Sequence, residues 1–192
     1  MYKRRWHDYL WIASSIYILL GFVNILFAWL GLLCFFIPLI IAITRGTKSY
    51  CNNYCGRGQL LGVVGSKLSL GKKLPAFFYS KWLRYGFLTF FLTMFGIMVF
   101  NTYLVFSGTN SLREAITLFW TFKVPWQWTY TEGVVSPWIA QFAFGFYSLM
   151  LTSTLIGLIF MASFRPRSWC IICPMGTMTQ LICKLKSGYK NG

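Results

Sequence analysis

Acidic residues are almost missing from this sequence. The 192-residue chain holds 3 Asp and Glu against 18 Lys and Arg, a formal net charge of +15. With only Asp8, Glu114 and Glu132 present, no carboxylate pair for acid–base or hydrolytic chemistry is in evidence. Histidine is missing except for His7, so no bis-histidine haem can be built within one chain. His7 itself sits among basic and aromatic residues and reads as interfacial rather than as a ligand. No Walker sequence, G-x-G-x-x-G run or G-x-S-x-G elbow occurs. Charge of either sign is scarce at 11% of residues, roughly half of what a soluble domain carries. What fills the gap is apolar: 57% of residues are hydrophobic and 20% aromatic. The class is a polytopic membrane protein, expected to form a single membrane domain over residues 1–192. In such a chain the basic excess marks cytoplasmic loops and contact with anionic lipid, not nucleic acid. No secretory signal peptide is read, because the first apolar run is too long and no small-residue cleavage site follows it.

Residues 10–44 carry no charge. As one helix, these 35 residues would reach about 52 Å, well beyond one span of about 20 residues. Basic residues close both ends, with Lys3, Arg4 and Arg5 before the run and Arg45 and Lys48 after it. An even number of crossings follows, read as a tight hairpin of helices over 10–24 and 27–44. Gly21, Asn24 and Gly31 offer places to turn, and Pro38 is expected to interrupt the second helix. Cys34 falls inside that helix and reads as a small packing residue. Further uncharged spans cover 86–106 and 138–164. Between them, Ser111 and Glu114 match a capping box and predict a short helix over 112–122. The aromatic loop with Trp126, Trp128 and Tyr130 suits interfacial anchoring, or the wall of a quinone pocket.

The expected fold class is therefore an all-α integral membrane protein. Its four transmembrane helices form two hairpins, with a short cytoplasmic interfacial helix after each of two cysteine motifs. With 1–9, 45–85 and 165–192 on one side, that side holds 16 of the 18 basic residues. The expected location is a prokaryotic cytoplasmic membrane with both termini inside. No charged residue interrupts the spans, so the chain does not read as an ion-coupled pump.

Four of the six cysteines come in two pairs, both on the basic side. The motif at 51–58 reads C-N-N-Y-C-G-R-G, and the motif at 170–176 reads C-I-I-C-P-M-G. Aligning Cys55 with Cys173 brings Gly58 onto Gly176, a weak internal repeat in which an apolar run delivers a cysteine pair. Three kinds of chemistry fit four such thiols in a reducing compartment. One is a [4Fe–4S] cluster on Cys51, Cys55, Cys170 and Cys173. The second is a Cys₄ zinc ion stapling a membrane scaffold or assembly factor, and the third is a thiol–disulfide system. Pro174 directly after Cys173 favours the cluster, because ferredoxin motifs end in Cys-Pro. Around the thiols, Gly56, Gly58 and Gly176 would let backbone N–H groups approach. Arg57 would offset the charge of a thiolate-bound centre. Pro174 to Leu185 is expected to be a helix, with Met175, Met178, Ile182 and Leu185 at helical spacing and Cys183 outside the site.

The stretches C-N-N-Y-C-G-R-G-Q-L-L and R-S-W-C-I-I-C-P-M-G-T resemble the two motifs of the NapH/NosR/CcoG-type membrane iron–sulfur proteins. In that family, membrane helices end in paired cysteine–proline motifs on the cytoplasmic side. Here the first pair is followed by Gly56 instead of proline, and the second pair is one residue shorter. The appended ferredoxin run and any flavin domain are not found in this sequence. The resemblance implies membrane electron transfer by a subunit that relays single electrons and is not itself catalytic. A second carrier would be a quinone, a partner subunit's flavin or iron–sulfur centre. Lys72, Lys73, Arg165, Arg167 and Lys184 would face lipid or steer an acidic carrier such as a ferredoxin or flavodoxin.

Overall fold

The computed structural model describes residues 9–47, 50–118, 121–130, 133 and 135–190, with the backbone alone for 52 and 187–190. The N-terminal basic cluster at 3–5, His7, Asp8, Lys48 and Glu132 lie outside the described residues. Helix dominates. In order come α1 (Leu10–Val23), a 3₁₀ segment (Ile25–Leu30), α2 (Gly31–Arg45), a π-helical turn (Tyr50–Tyr54) and α3 (Gly56–Leu68). They are followed by a 3₁₀ turn (Ala76–Tyr79), α4 (Lys81–Phe106), strands β1 (Ala115–Leu118) and β2 (Phe122–Pro125), and another 3₁₀ turn (Gln127–Thr129). The chain then runs through α5 (Pro137–Ser163), a 3₁₀ turn (Ser168–Ile171) and α6 (Pro174–Lys190).

Three helical stretches are long and apolar enough to cross a membrane: Ile25–Arg45, Lys81–Phe106 and Pro137–Ser163. Leu10–Val23 is apolar but shorter, at 14 residues. The break between the first two helices falls at Asn24, as expected. Its backbone is extended and its side-chain oxygen accepts from the Leu26 N–H at 2.9 Å, so it caps the 3₁₀ segment that follows. Residues 27–30 are 3₁₀ rather than α. Pro38 does lie inside α2. It supplies no N–H to the Cys34 carbonyl, which therefore loses its usual helical partner. α4 begins at Lys81, five residues before the uncharged span that starts at Gly86. Lys81 and Arg84 thus lie in its first turn.

The chain divides into two compact units. One comprises Ile16–Leu33 and Phe91–Leu155. Its core is Ile25, Ala28, Ile116, Trp126, Ala140, Ala143, Phe144 and Tyr147. Gly21 is not a turn residue. It lies buried where an added Cβ would strike the Tyr147 ring, and Tyr147 Oη donates to the Ile18 carbonyl at 2.7 Å. The predicted helix over 112–122 is absent, and an antiparallel hairpin stands there instead. Its register pairs Ala115 with Pro125, Ile116 with Val124, Thr117 with Lys123 and Leu118 with Phe122. Ile116, Thr117 and Val124 are β-branched and favour strands. Ile116 is fully buried, and Ser148 Oγ accepts from the Thr117 N–H at 2.8 Å. Those tertiary partners outweigh the local capping signal.

The other unit comprises Met1–Ser15, Cys34–Phe90 and Ile156–Gly192, and it contains every cysteine. Its core is Leu61, Met161 and Trp169, with Phe87 and Phe160 packed on the Trp169 ring at 5.3 and 5.8 Å. Helix α3 seats itself through glycine. A Cβ on Gly65 would lie 2.6 Å from Met161 Cγ and 3.1 Å from Pro166 Cα, so only glycine lets these backbones approach. Helix α6 is tied to the end of α2 by Lys186, whose Nζ donates to the Ile43 and Thr44 carbonyls at 2.6 Å each. Those carbonyls have no helical partner, and a cation there complements the helix dipole. Lys186 is therefore a helix cap.

Candidate metal centre

The two cysteine motifs meet within one unit, and they are built alike. Cys55 is the N-cap of α3 and Cys173 directly precedes α6. The Gln59 N–H donates to the Cys55 carbonyl at 3.0 Å, and the Thr177 N–H donates to the Cys173 carbonyl at 3.0 Å. Each motif thus places a thiol at the start of a helix, with a glycine three positions on. The Gly58 N–H favours a thiolate at Cys55, and the Gly176 and Met175 N–H groups favour one at Cys173. Helix N-termini with free N–H groups stabilise anions. The repeated Cys-x-x-Gly is the sequence trace of this geometry. Proline at the first position of α6 costs nothing there, because its missing N–H would be unpaired anyway.

Gly58 stands between the two motifs. A Cβ built on it would lie 3.5 Å from Cys170 Sγ and 3.6 Å from Cys55 Sγ. Two sulfurs from distant parts of the chain therefore face one spot that no side chain fills. Cys51 Sγ lies 3.7 Å from Thr179 Oγ1 on α6, which completes the approach of the first motif to the second. The 3₁₀ turn carrying Cys170 is fixed from behind. Trp169 is buried, Ser168 Oγ donates to the Phe160 carbonyl at 3.1 Å, and the Cys173 N–H donates to the Trp169 carbonyl at 2.9 Å. The π-helical turn over Tyr50–Tyr54 presents Cys51 ahead of α3. Such turns recur at functional sites because they re-aim side chains.

Desolvation at the sulfur favours the neutral form of Cys55, Cys170 and Cys173, although Cys170 as a residue is exposed. It pushes Cys55 up to about 12, Cys170 up to about 11, and Cys173 up as well. The thiols also raise one another. Cys173 and Cys170 act on Cys55, and Cys51 acts on both Cys170 and Cys173. Arg167 opposes the rise at Cys170, and Arg57 opposes it at Cys173. A site of this kind takes thiolates only together with positive charge, as a metal centre supplies.

Among the described residues, no three His, Cys, Asp or Glu side chains close on one point as a single metal ion requires. A tetrahedral zinc ion with bonds of about 2.3 Å needs sulfurs about 3.8 Å apart. A four-iron cubane takes one thiolate per iron and holds its sulfurs further apart. The open spot at Gly58, the helix N–H groups and the two arginines fit the larger, anionic group.

Two neighbours of the site were not legible as such. Cys34 is more than a packing residue. It hydrogen-bonds Tyr50 and stands close enough to Cys55 to raise its thiol further. Thr179, almost fully buried, faces Cys51. On α6, Pro174, Thr177 and Thr179 are buried, Met175, Met178 and Ile182 are half-buried, and Leu185 is exposed. Cys183 lies on α6, half-buried, as expected.

Comparison with known proteins agrees with this chemistry. Residues 27–75 and 147–190 match the family model of a 4Fe-4S binding domain. No curated protein and no solved structure matches the chain. The two matched stretches take in both cysteine motifs, the π-helical turn, α3 and α6, and together they support an iron–sulfur protein with ferredoxin-like cluster binding.

Proposed function

We propose that Cys51, Cys55, Cys170 and Cys173 hold one [4Fe–4S] cluster, and that the chain is a membrane electron-transfer subunit of the NapH/NosR/CcoG type. The observation that carries this reading is the pair of sulfurs from separate motifs facing the bare Gly58 position, inside the residues that match a 4Fe-4S binding domain. Such a cluster, when bound, accepts and returns one electron at a time. The chain's own residues provide its setting. The N–H groups at Gly58, Met175 and Gly176 and the cations Arg57 and Arg167 favour the anionic thiolates. Trp169 and Leu61 close the apolar side of the site.

The apolar helices support a bilayer location. In this reading α1, the stretch from Ile25 to Arg45, α4 and α5 form four crossings, and the cysteine motifs lie on the basic, cytoplasmic side. One centre at one face cannot carry an electron across a hydrocarbon core of about 30 Å. A quinone in the bilayer, or the flavin or iron–sulfur centre of a partner subunit, completes the path. The catalytic chemistry belongs to that partner.

Protein purified anaerobically is expected to contain iron and acid-labile sulfide in cluster proportion, with a low-temperature EPR signal after dithionite reduction. Stoichiometric zinc without iron or a reducible signal would replace electron transfer with a stapled scaffold. The crossing pattern has its own test. In intact cells, a Thr109→Cys thiol should react with an impermeant reagent, whereas one from Tyr2→Cys should be protected. The reverse pattern sinks the four-span arrangement.

A further inference from the structure

Arg167 is the only non-glycine residue with positive φ among the described residues, at 62°. A side chain with a Cβ is strained in that conformation, yet the position holds a long cation. The side chain has a made seat. A Cβ on Gly62 of α3 would lie 3.1 Å from Arg167 Nε, 3.7 Å from its Cγ and 3.8 Å from its Cζ. The stem of the guanidinium thus lies along the bare face of α3, one helical turn beyond Gly58, while the residue stays exposed. Its backbone begins the turn that carries the second motif, with the Cys170 N–H donating to the Arg167 carbonyl at 3.0 Å. One residue therefore fixes the start of the Cys170 turn and holds a permanent positive charge beside the site.

We infer that Arg167, laid over Gly62, is a positioning residue that sets the reduction potential of the centre bound by the four cysteines. This rests on the cluster reading above. Reduction adds one negative charge to an already anionic centre, and a fixed cation beside it makes that addition easier. Arginine suits the task because its charge does not titrate in the working range. The seat on Gly62 holds the stem of this exposed side chain against α3, which fixes where its charge stands.

The test is an EPR-monitored redox titration of the full chain in detergent, with iron and sulfide measured on each sample. Arg167→Gln removes the charge and keeps a polar side chain as far as the Nε position, at the same backbone cost. It should retain the cluster and shift the midpoint potential to more negative values. Arg167→Lys should recover part of the shift. Gly62→Ala puts a methyl under the guanidinium and should shift the potential in the same sense. Added to Arg167→Gln, it should do nothing more, because its effect runs through the arginine. Arg165→Gln removes a neighbouring exposed charge and should leave the potential near that of the unsubstituted protein. A full cluster with unchanged potential in Arg167→Gln overturns this inference alone, and so does an equal shift from Arg165→Gln. Loss of the cluster from Arg167→Gln and Arg167→Lys alike makes the residue purely structural and also overturns it. Unsubstituted protein without iron overturns the cluster reading, and the inference with it.

Discussion

Cys51→Ser, Cys55→Ser, Cys170→Ser and Cys173→Ser should each lose most of the iron and acid-labile sulfide, while Cys183→Ser keeps both. A serine hydroxyl is a harder and far less acidic donor than a thiol, and soft thiolates are what an iron–sulfur centre selects. The loss should be cooperative, because the thiols share one site in which each raises its neighbours. Without the compensating metal charge, three partnered thiols return to the neutral form that burial favours. Cys34→Ser is the informative control. Cys34 hydrogen-bonds Tyr50 and lies near Cys55, yet serine can keep that bond, so the cluster should survive. Iron and sulfide assays with the EPR amplitude check the series. Equal loss from Cys183→Ser means that the ligand set is wrong. A cluster that persists in Cys55→Ser, and disappears only when Cys34 is also replaced, transfers the fourth position to Cys34.

The two cysteine motifs were legible as a pattern because paired spacing, a following proline and the basic flank are local features. So were α4 and α5, whose uncharged lengths admit no other reading. Lost to the sequence were features decided by partners distant along the chain. Ser111 and Glu114 carry a capping pattern, but Ile116 fits the apolar core beside Ala143 and Phe144, and burial there favours a strand. Cys34 sits in an apolar run with nothing beside it in sequence to mark it. Its link to Tyr50 and Cys55 exists only after the chain turns at Gly46, which takes φ of 64°. The role of Lys186 was not legible, because its acceptors, the last carbonyls of α2, are set by how α6 packs. Thr179 is a small polar residue on a helix whose apolar spacing draws the eye, and nothing beside it in sequence marks its burial. The repeated Cys-x-x-Gly was visible as a pattern. Its cause, a thiol at a helix N-terminus with N–H groups turned to it, needed the backbone.

Gly58→Ala should separate folding from cluster binding, with effects of opposite sign. Gly58 lies in the first turn of α3, with ordinary helical backbone and no positive φ. Alanine favours a helix over glycine by up to about 1 kcal/mol, so the helix gains from the change. Nor does the protein without a cluster object. The new methyl would lie 3.5 Å from Cys170 Sγ and 3.6 Å from Cys55 Sγ, which is ordinary contact. It occupies, however, the one spot that both sulfurs face. A cubane approached by those sulfurs must share that space, and the methyl gives way only by moving α3. Cluster affinity should therefore fall, on the order of 10-fold or more, as for other changes in the shell around a metal site. The expected result is a variant whose thermal midpoint without iron equals or exceeds that of the unsubstituted chain. Its iron and sulfide content and its EPR amplitude should fall sharply. Gly176→Ala provides the comparison. Its added Cβ would lie 3.5 Å from the Cys170 carbonyl and 3.9 Å from Cys173 Cβ, with no sulfur in reach, so its loss of iron should be smaller. A Gly58→Ala protein with a full cluster would mean that the centre does not lie between Cys55 and Cys170, and the four-cysteine site would have to be redrawn around other thiols.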